Sequence, residues 1–205
     1  MPGQMMHLSA GTRWWQETGR EGNFGQFLLG CIAPDAVNAR GFASKEVRWH
    51  AHLRDENLGV WKENARRFYQ QQREFPDQDY LLGYLIHVMT DILWDECFDP
   101  VLEQNIRTLT ADAQQQYRLR WSELFLFDRL ASFSDWWKEV RPAFARAKAL
   151  PINGISETMT ELLQKDTLFW YASSIAEQYG TNPPHFVTQE DVGALAQALV
   201  KQVQL

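Results

Sequence analysis

The chain has 205 residues, of which 45% are hydrophobic, 13% aromatic and 22% charged, and its formal net charge is −6. That composition excludes a disordered or fibrous chain, and the negative balance argues against general nucleic-acid binding, which needs a basic surface. Cys31 and Cys97 are too few for a disulfide framework, no basic and then apolar leader precedes Trp15, and no apolar run reaches the roughly 18 residues of a membrane span. The expectation is a soluble chain, without a membrane span, in a reducing, cytoplasmic setting.

The periodicity is helical almost throughout. His7 stands just ahead of the first expected helix. Asn23 caps a second, with Phe24, Phe27, Leu28, Cys31 and Ile32 on one face. Pro34 stops it, because the residue before a proline avoids the α region. Residues 41–54 show no clear period and read as one of the least regular stretches. Val60, Trp61, Ala65, Phe68 and Tyr69 mark an amphipathic helix that ends before Pro76. Asp77 or Asp79 caps the next, which is expected to run to Phe98 with Pro100 beyond it.

Thr110 begins a helix carrying Tyr117, Trp121, Leu124 and Phe125. Ser134 caps one with Trp137 and Val140, in which Pro142 is a kink or break. Thr158 with Glu161 reads as a capping box for a helix running on to Gly180. Thr188 caps the last, with Val192, Leu195, Leu199 and Val203 as its buried stripe. No strand pattern, internal repeat or linker is present. The expected fold is all-α, a single multi-helix domain over residues 1–205 with one central buried helix. The nine tryptophans read mainly as core and rim side chains, with an aromatic wall around a pocket as the rival reading.

The central helix carries the chemistry. From Tyr80 to Phe98 it is apolar nearly all round, which marks a buried helix, yet it contains His87, Asp91 and Asp95 at intervals of four, on one stripe. Gly83 on the same stripe lets a backbone or a ligand approach closely. A buried ionised carboxylate costs several kcal/mol unless it is paired or bound to a metal. A His–Asp hydrogen bond that orients two helices is the simple reading, and a metal site needs more ligands from elsewhere. Five histidines exist: His7, His50, His52, His87 and His185. Asp35 follows Pro34 at the expected end of the second helix, where negative charge is disfavoured unless a cation is near. Imidazoles with carboxylates suit zinc, with Fe, Mn or Ni as substitutes. Cys31 and Cys97 read as core thiols.

The order His7, then Phe27 to Asp35, then His52-Leu53, then Gly83 to Trp94 resembles the zinc-dependent phospholipase C family, most closely its short, uncharacterised bacterial branch. The likeness covers about the N-terminal half. It implies the helical fold that this family shares with fungal single-strand nucleases. It further implies Asp35, His52, His87 and Asp91 as ligands of one zinc, His7 as a ligand of a second with Asp91 bridging, and Asp35 as a general base. His50 could stand in for His52; the leucine after His52 favours His52. His185, in a proline-rich loop, reads as a surface residue. The sequence departs from the family where Asp95 and Glu96 follow Trp94, a place where many members have a histidine; either could serve as an oxygen ligand or base. No ligands for a third zinc are evident.

The resulting expectation is a metal-dependent hydrolase that uses a metal-activated water on a small phosphoester or phosphodiester substrate. Arg40, Arg48 and Arg54 flank the expected ligands, and one of them could hold a substrate phosphate. The alternative is a helical ligand- or partner-binding protein in which the same ligands hold a purely structural metal. A metal-free His–Asp network without catalysis is the third reading. Substrate identity and oligomeric state are not set by these residues.

Overall fold

A computed structural model describes residues 2–169 and 185–203. The expected stop at Gly180 and the Pro183-Pro184 pair lie outside the described residues. The described chain forms ten α-helices, a short 3₁₀ helix, a π turn and no strand. The all-α expectation is met.

The first helix, α1 (Gln4–Thr18), encloses His7 instead of following it. No local side chain caps α1. Asp128, far along the chain, supplies the missing acceptor: its Oδ1 takes the Met6 N–H at 3.3 Å. A carboxylate at this end also meets the positive pole of the helix. Gly3 makes the approach possible, since a Cβ there would lie 2.0 Å from Asp128 Oδ2.

Asn23 caps α2 (Phe24–Gly30) through the Gln26 N–H. A 3₁₀ helix (Ala33–Asn38) follows, and Pro34 opens it. Asp35 therefore lies in a first turn, where negative charge is favoured. The expected misplacement at a helix end does not hold. Residues 41–54 are also more regular than expected. Ser44 accepts the Val47 N–H and starts α3 (Lys45–Ala51), a short polar helix. Asn57 caps α4 (Leu58–Gln71), and Asp77 caps α5 (Gln78–Leu93) by accepting two N–H groups.

The helix from Tyr80 does not run uniformly to Phe98. A π turn (Trp94–Phe98) separates α5 from α6 (Asp99–Leu109), and Pro100 sits in the first turn of α6, where a missing N–H costs nothing. Beyond Trp94 the chain leaves the core. Cys97 is exposed, so it is not a core thiol, while Cys31 is buried. Asp112, not Thr110, caps α7 (Ala113–Ser132). Ser134 caps α8 (Asp135–Arg146), which passes through Pro142 without a break. In α9 (Glu157–Phe169) the acceptor is Ser156 Oγ, 3.4 Å from the Met159 N, so Thr158 is inside the helix. Thr188 and Asp191 form a capping box on α10 (Gln189–Gln202). The approach to α10 is tied down by the buried Glu123 carboxylate, which accepts the N–H groups of His185, Phe186 and Val187 at 3.0, 2.6 and 3.1 Å.

Every residue of α5 from Tyr80 to Leu93 is buried. The helices α1, α2, α4 and α10 and the 3₁₀ helix pack around it. The crossing with α2 is the closest: a Cβ on Gly83 would stand 2.0 Å from the Phe27 carbonyl oxygen, and one on Gly30 would stand 2.1 Å from that of Tyr80. Only glycine at both positions lets the two backbones touch. Trp14, Trp15, Trp61, Trp94 and Trp137 are core residues, while Trp49 and Trp121 are partly exposed. No described helix is long and apolar enough to cross a membrane.

Candidate metal centre

The Gly30–Gly83 crossing sets the end of α2 over the middle of α5. The carbonyl of Cys31 thereby comes within 2.7 Å of His87 Nδ1. A carbonyl can only accept, so Nδ1 carries the proton, and in the neutral ring Nε2 is a bare lone pair. His52, the residue that ends α3, is held in the same way. Its Nδ1 donates to the Arg48 carbonyl at 2.8 Å, and its own carbonyl accepts the Trp61 Nε1–H at 2.7 Å. The last turn of α3 is tied to α5 by the Tyr84 hydroxyl, which donates to the Ala51 carbonyl. Asn153 reinforces this tie: its Nδ2 donates to both Tyr84 Oη and the His50 carbonyl at 2.9 Å. The sequence pattern places Trp61 and Tyr84 on helices but gives neither them nor Asn153 a role at the site, because their side-chain partners are set by tertiary contacts.

His7 enters from α1 and stacks on His87 with ring centroids 3.7 Å apart. Asp35 enters from the 3₁₀ helix. The five residues expected as ligands therefore meet. Asp91 Oδ1 lies 3.5 Å from His7 Nε2, and Oδ2 lies 3.6 Å from the Nε2 atoms of both His52 and His87. Asp35 Oδ1 is 3.3 Å from His52 Nε2. His50 and His185 are exposed and outside this cluster. Asp95 pairs with Arg54, and Glu96 with Lys62 at 2.7 Å, and neither belongs to the groups of close ligand atoms.

The electrostatics are unusual for a core. Both nitrogens of His7, Nε2 of His52 and of His87, and both oxygens of Asp91 are buried without a hydrogen-bond partner. Orphaned buried polar atoms are rare because each forfeits its bonds to water. Burial pushes His7 and His87 well below the ordinary histidine range, so their rings are neutral. It pushes the Asp91 carboxyl up to about 7. Burial opposes charge on His52 and Asp35 too, but their mutual contact prevails: His52 is raised and Asp35 lowered. At Asp91 the bare Nε2 lone pair of His87 faces a carboxylate oxygen, a contact that a proton or a cation relieves.

The donor set fits a metal. Ligand atoms of two overlapping groups lie within 4.8 Å of one another, His7–His87–Asp91 and Asp35–His52–His87, and either could hold an ion. Ligand atoms 2.0–2.2 Å from a tetrahedral zinc stand about 3.3–3.6 Å apart, the spacing seen around Asp91. The orientation of His87 and His52 by backbone carbonyls is the outer support that metal-bound imidazoles usually have. His87 has one free nitrogen and can serve one ion only. Asp91 has two oxygens that face different histidines, so it is the group able to serve two.

Two cavities border the cluster. Asp35 lines a cavity of about 330 Å³ together with Phe42, Trp121 and Asp128. His52 lines a second, of about 390 Å³, which shares Phe42 and Trp121 with the first. A scan against protein-family models and searches of curated proteins and of solved structures return no match.

Proposed function

We propose that the chain is a metal-dependent hydrolase of a phosphoester or phosphodiester, with zinc in the buried His–Asp cluster. The observation that carries this reading is the convergence of bare imidazole nitrogens and unpaired Asp91 oxygens beside two cavities. Asp35, His52, His87 and Asp91 would hold one ion, and His7 with the second oxygen of Asp91 another. When bound, zinc supplies an activated water and a hold on the phosphoryl oxygens. Asp35 lines a cavity beside the cluster, so its carboxylate is placed to take a proton from the attacking water. The buried His87 and Asp91 are shut away from bulk solvent, which strengthens every charge interaction there.

The alternative is a binding protein with a purely structural metal. Structural sites are closed by protein ligands, whereas catalytic ones keep a position open. Asp35 and His52 both reach a cavity, which favours the catalytic reading. The resemblance of the N-terminal half to the zinc-dependent phospholipase C family points the same way. The expected result is zinc-dependent, chelator-sensitive hydrolysis of a chromogenic phosphodiester such as bis(4-nitrophenyl) phosphate. Zinc-loaded protein with no activity on a panel of phosphomonoesters and phosphodiesters would leave the structural-metal reading standing.

A further inference from the structure

The cavity lined by His52 has walls that the metal cluster does not account for. They are built from α3, the residues just before it, and α7: Phe42, Lys45, Arg48, Trp49 and Trp121. Arg54 on the same wall is neutralised by Asp95. Lys45 and Arg48 make no such ion pair, although both charges act on the exposed Glu46 carboxylate. Neither has a carboxylate within ion-pair distance among the described residues, in a chain whose net charge is −6. Both cations are held against aromatic faces. Lys45 Nζ lies 4.2 Å from the Trp49 ring centre, and the Arg48 guanidinium carbon 4.6 Å from that of Phe42. Arg48 Nε donates to the Ala43 carbonyl at 3.1 Å, which fixes the guanidinium and leaves its other N–H donors for a ligand. The carbonyl of the same residue orients His52. The basic wall and the cluster therefore hang from one helical turn. The neighbouring cavity has the opposite character, with Asp35, Asp128 and Asp166 on its walls.

We propose that this basic, aromatic cavity recognises a second anionic group on the substrate, a carboxylate or phosphate joined to the scissile phosphoester through a flat apolar spacer. The inference rests on the hydrolase reading. Arg48 and Lys45 bind the remote anion, the guanidinium with a geometry suited to carboxylate or phosphate. Phe42, Trp49 and Trp121 pack on the spacer.

Two non-hydrolysable probes that differ only in the remote anion test this, phenylphosphonate and 3-carboxyphenylphosphonate, titrated calorimetrically into zinc-loaded protein. The carboxylated probe should bind at least tenfold more tightly. That advantage should fall below twofold in Arg48→Gln and in Lys45→Gln, with zinc content and far-ultraviolet circular dichroism as the check on folding. A separate arm uses benzene-1,3-dicarboxylate on chelator-treated protein, read by tryptophan fluorescence, where Arg48-dependent quenching is expected. Equal affinities for the two phosphonates, or an advantage that survives Arg48→Gln, overturns the proposal. If the protein takes up no zinc, the hydrolase reading has failed and the dicarboxylate arm decides alone: Arg48-dependent quenching sustains the anion pocket, and its absence sinks it.

Discussion

The Asp91→Asn variant is expected to fall from about two bound metal ions to one or none, and to lose phosphodiester hydrolysis by several orders of magnitude. An amide is neutral and a poor bridge, and the activated water depends on the ions that Asp91 would hold. The opposite effect is expected once metal is stripped away. Burial raises the folded-state pKa of Asp91 from 3.8 to about 7. A raised carboxyl stabilises the fold while protonated. That stability is whole below about pH 4 and is lost as pH rises through 7, by about 4 kcal/mol at most. Asparagine cannot ionise. At pH 8 the metal-free variant should therefore melt above the metal-free wild type, and below the zinc-loaded wild type. If Asp91 only pairs with His87, the substitution changes stability by about 1–3 kcal/mol and leaves metal content untouched. Unaltered stoichiometry and hydrolysis would rule out the bridging role.

The second large effect separates the histidines. His52→Ala and His87→Ala should each weaken zinc binding at least a hundredfold, since loss even of an outer support to a ligand costs roughly 10–100-fold. His50→Ala and His185→Ala should leave it intact. His50 and His52, both at the end of α3, make the sharper comparison. His52 has Nδ1 on the Arg48 carbonyl and Nε2 facing two carboxylates, while His50 is exposed two residues away. Competition titration of each variant against a chromogenic zinc chelator reads the affinities directly. Equal losses at His50 and His52 would overturn the ligand set.

Much of this architecture is legible in the sequence because its causes are local. Asn23, Asp77, Ser134 and Thr188 cap their helices with their own side chains, and the apolar circumference of α5 announces its burial. The candidate ligands are legible for the same reason, since His87 and Asp91 are polar residues on a helix with no polar face. The failures share a different cause. The start of α1 was hidden because its capping carboxylate, Asp128, comes from 122 residues away. The helix α3 was hidden because it is short and polar, so its local Ser44 cap had no apolar period beside it, and the ties from Tyr84 and Asn153 are tertiary. The helix–helix contact at Gly30 and Gly83 was only half visible. Gly83 signalled a close approach, but the sequence does not say which backbone comes near.

The central claim is that the cluster around Asp91 holds a transition metal, and its most direct test is elemental analysis of protein purified without added metal. The account predicts at least one equivalent of zinc, or of iron, manganese or nickel in its place, per chain. Chelation should remove it, with a fall in melting temperature that added zinc reverses. Metal-free protein whose melting is indifferent to both zinc and chelator would contradict the account, and would leave His7, His52, His87 and Asp91 as a buried proton-sharing network.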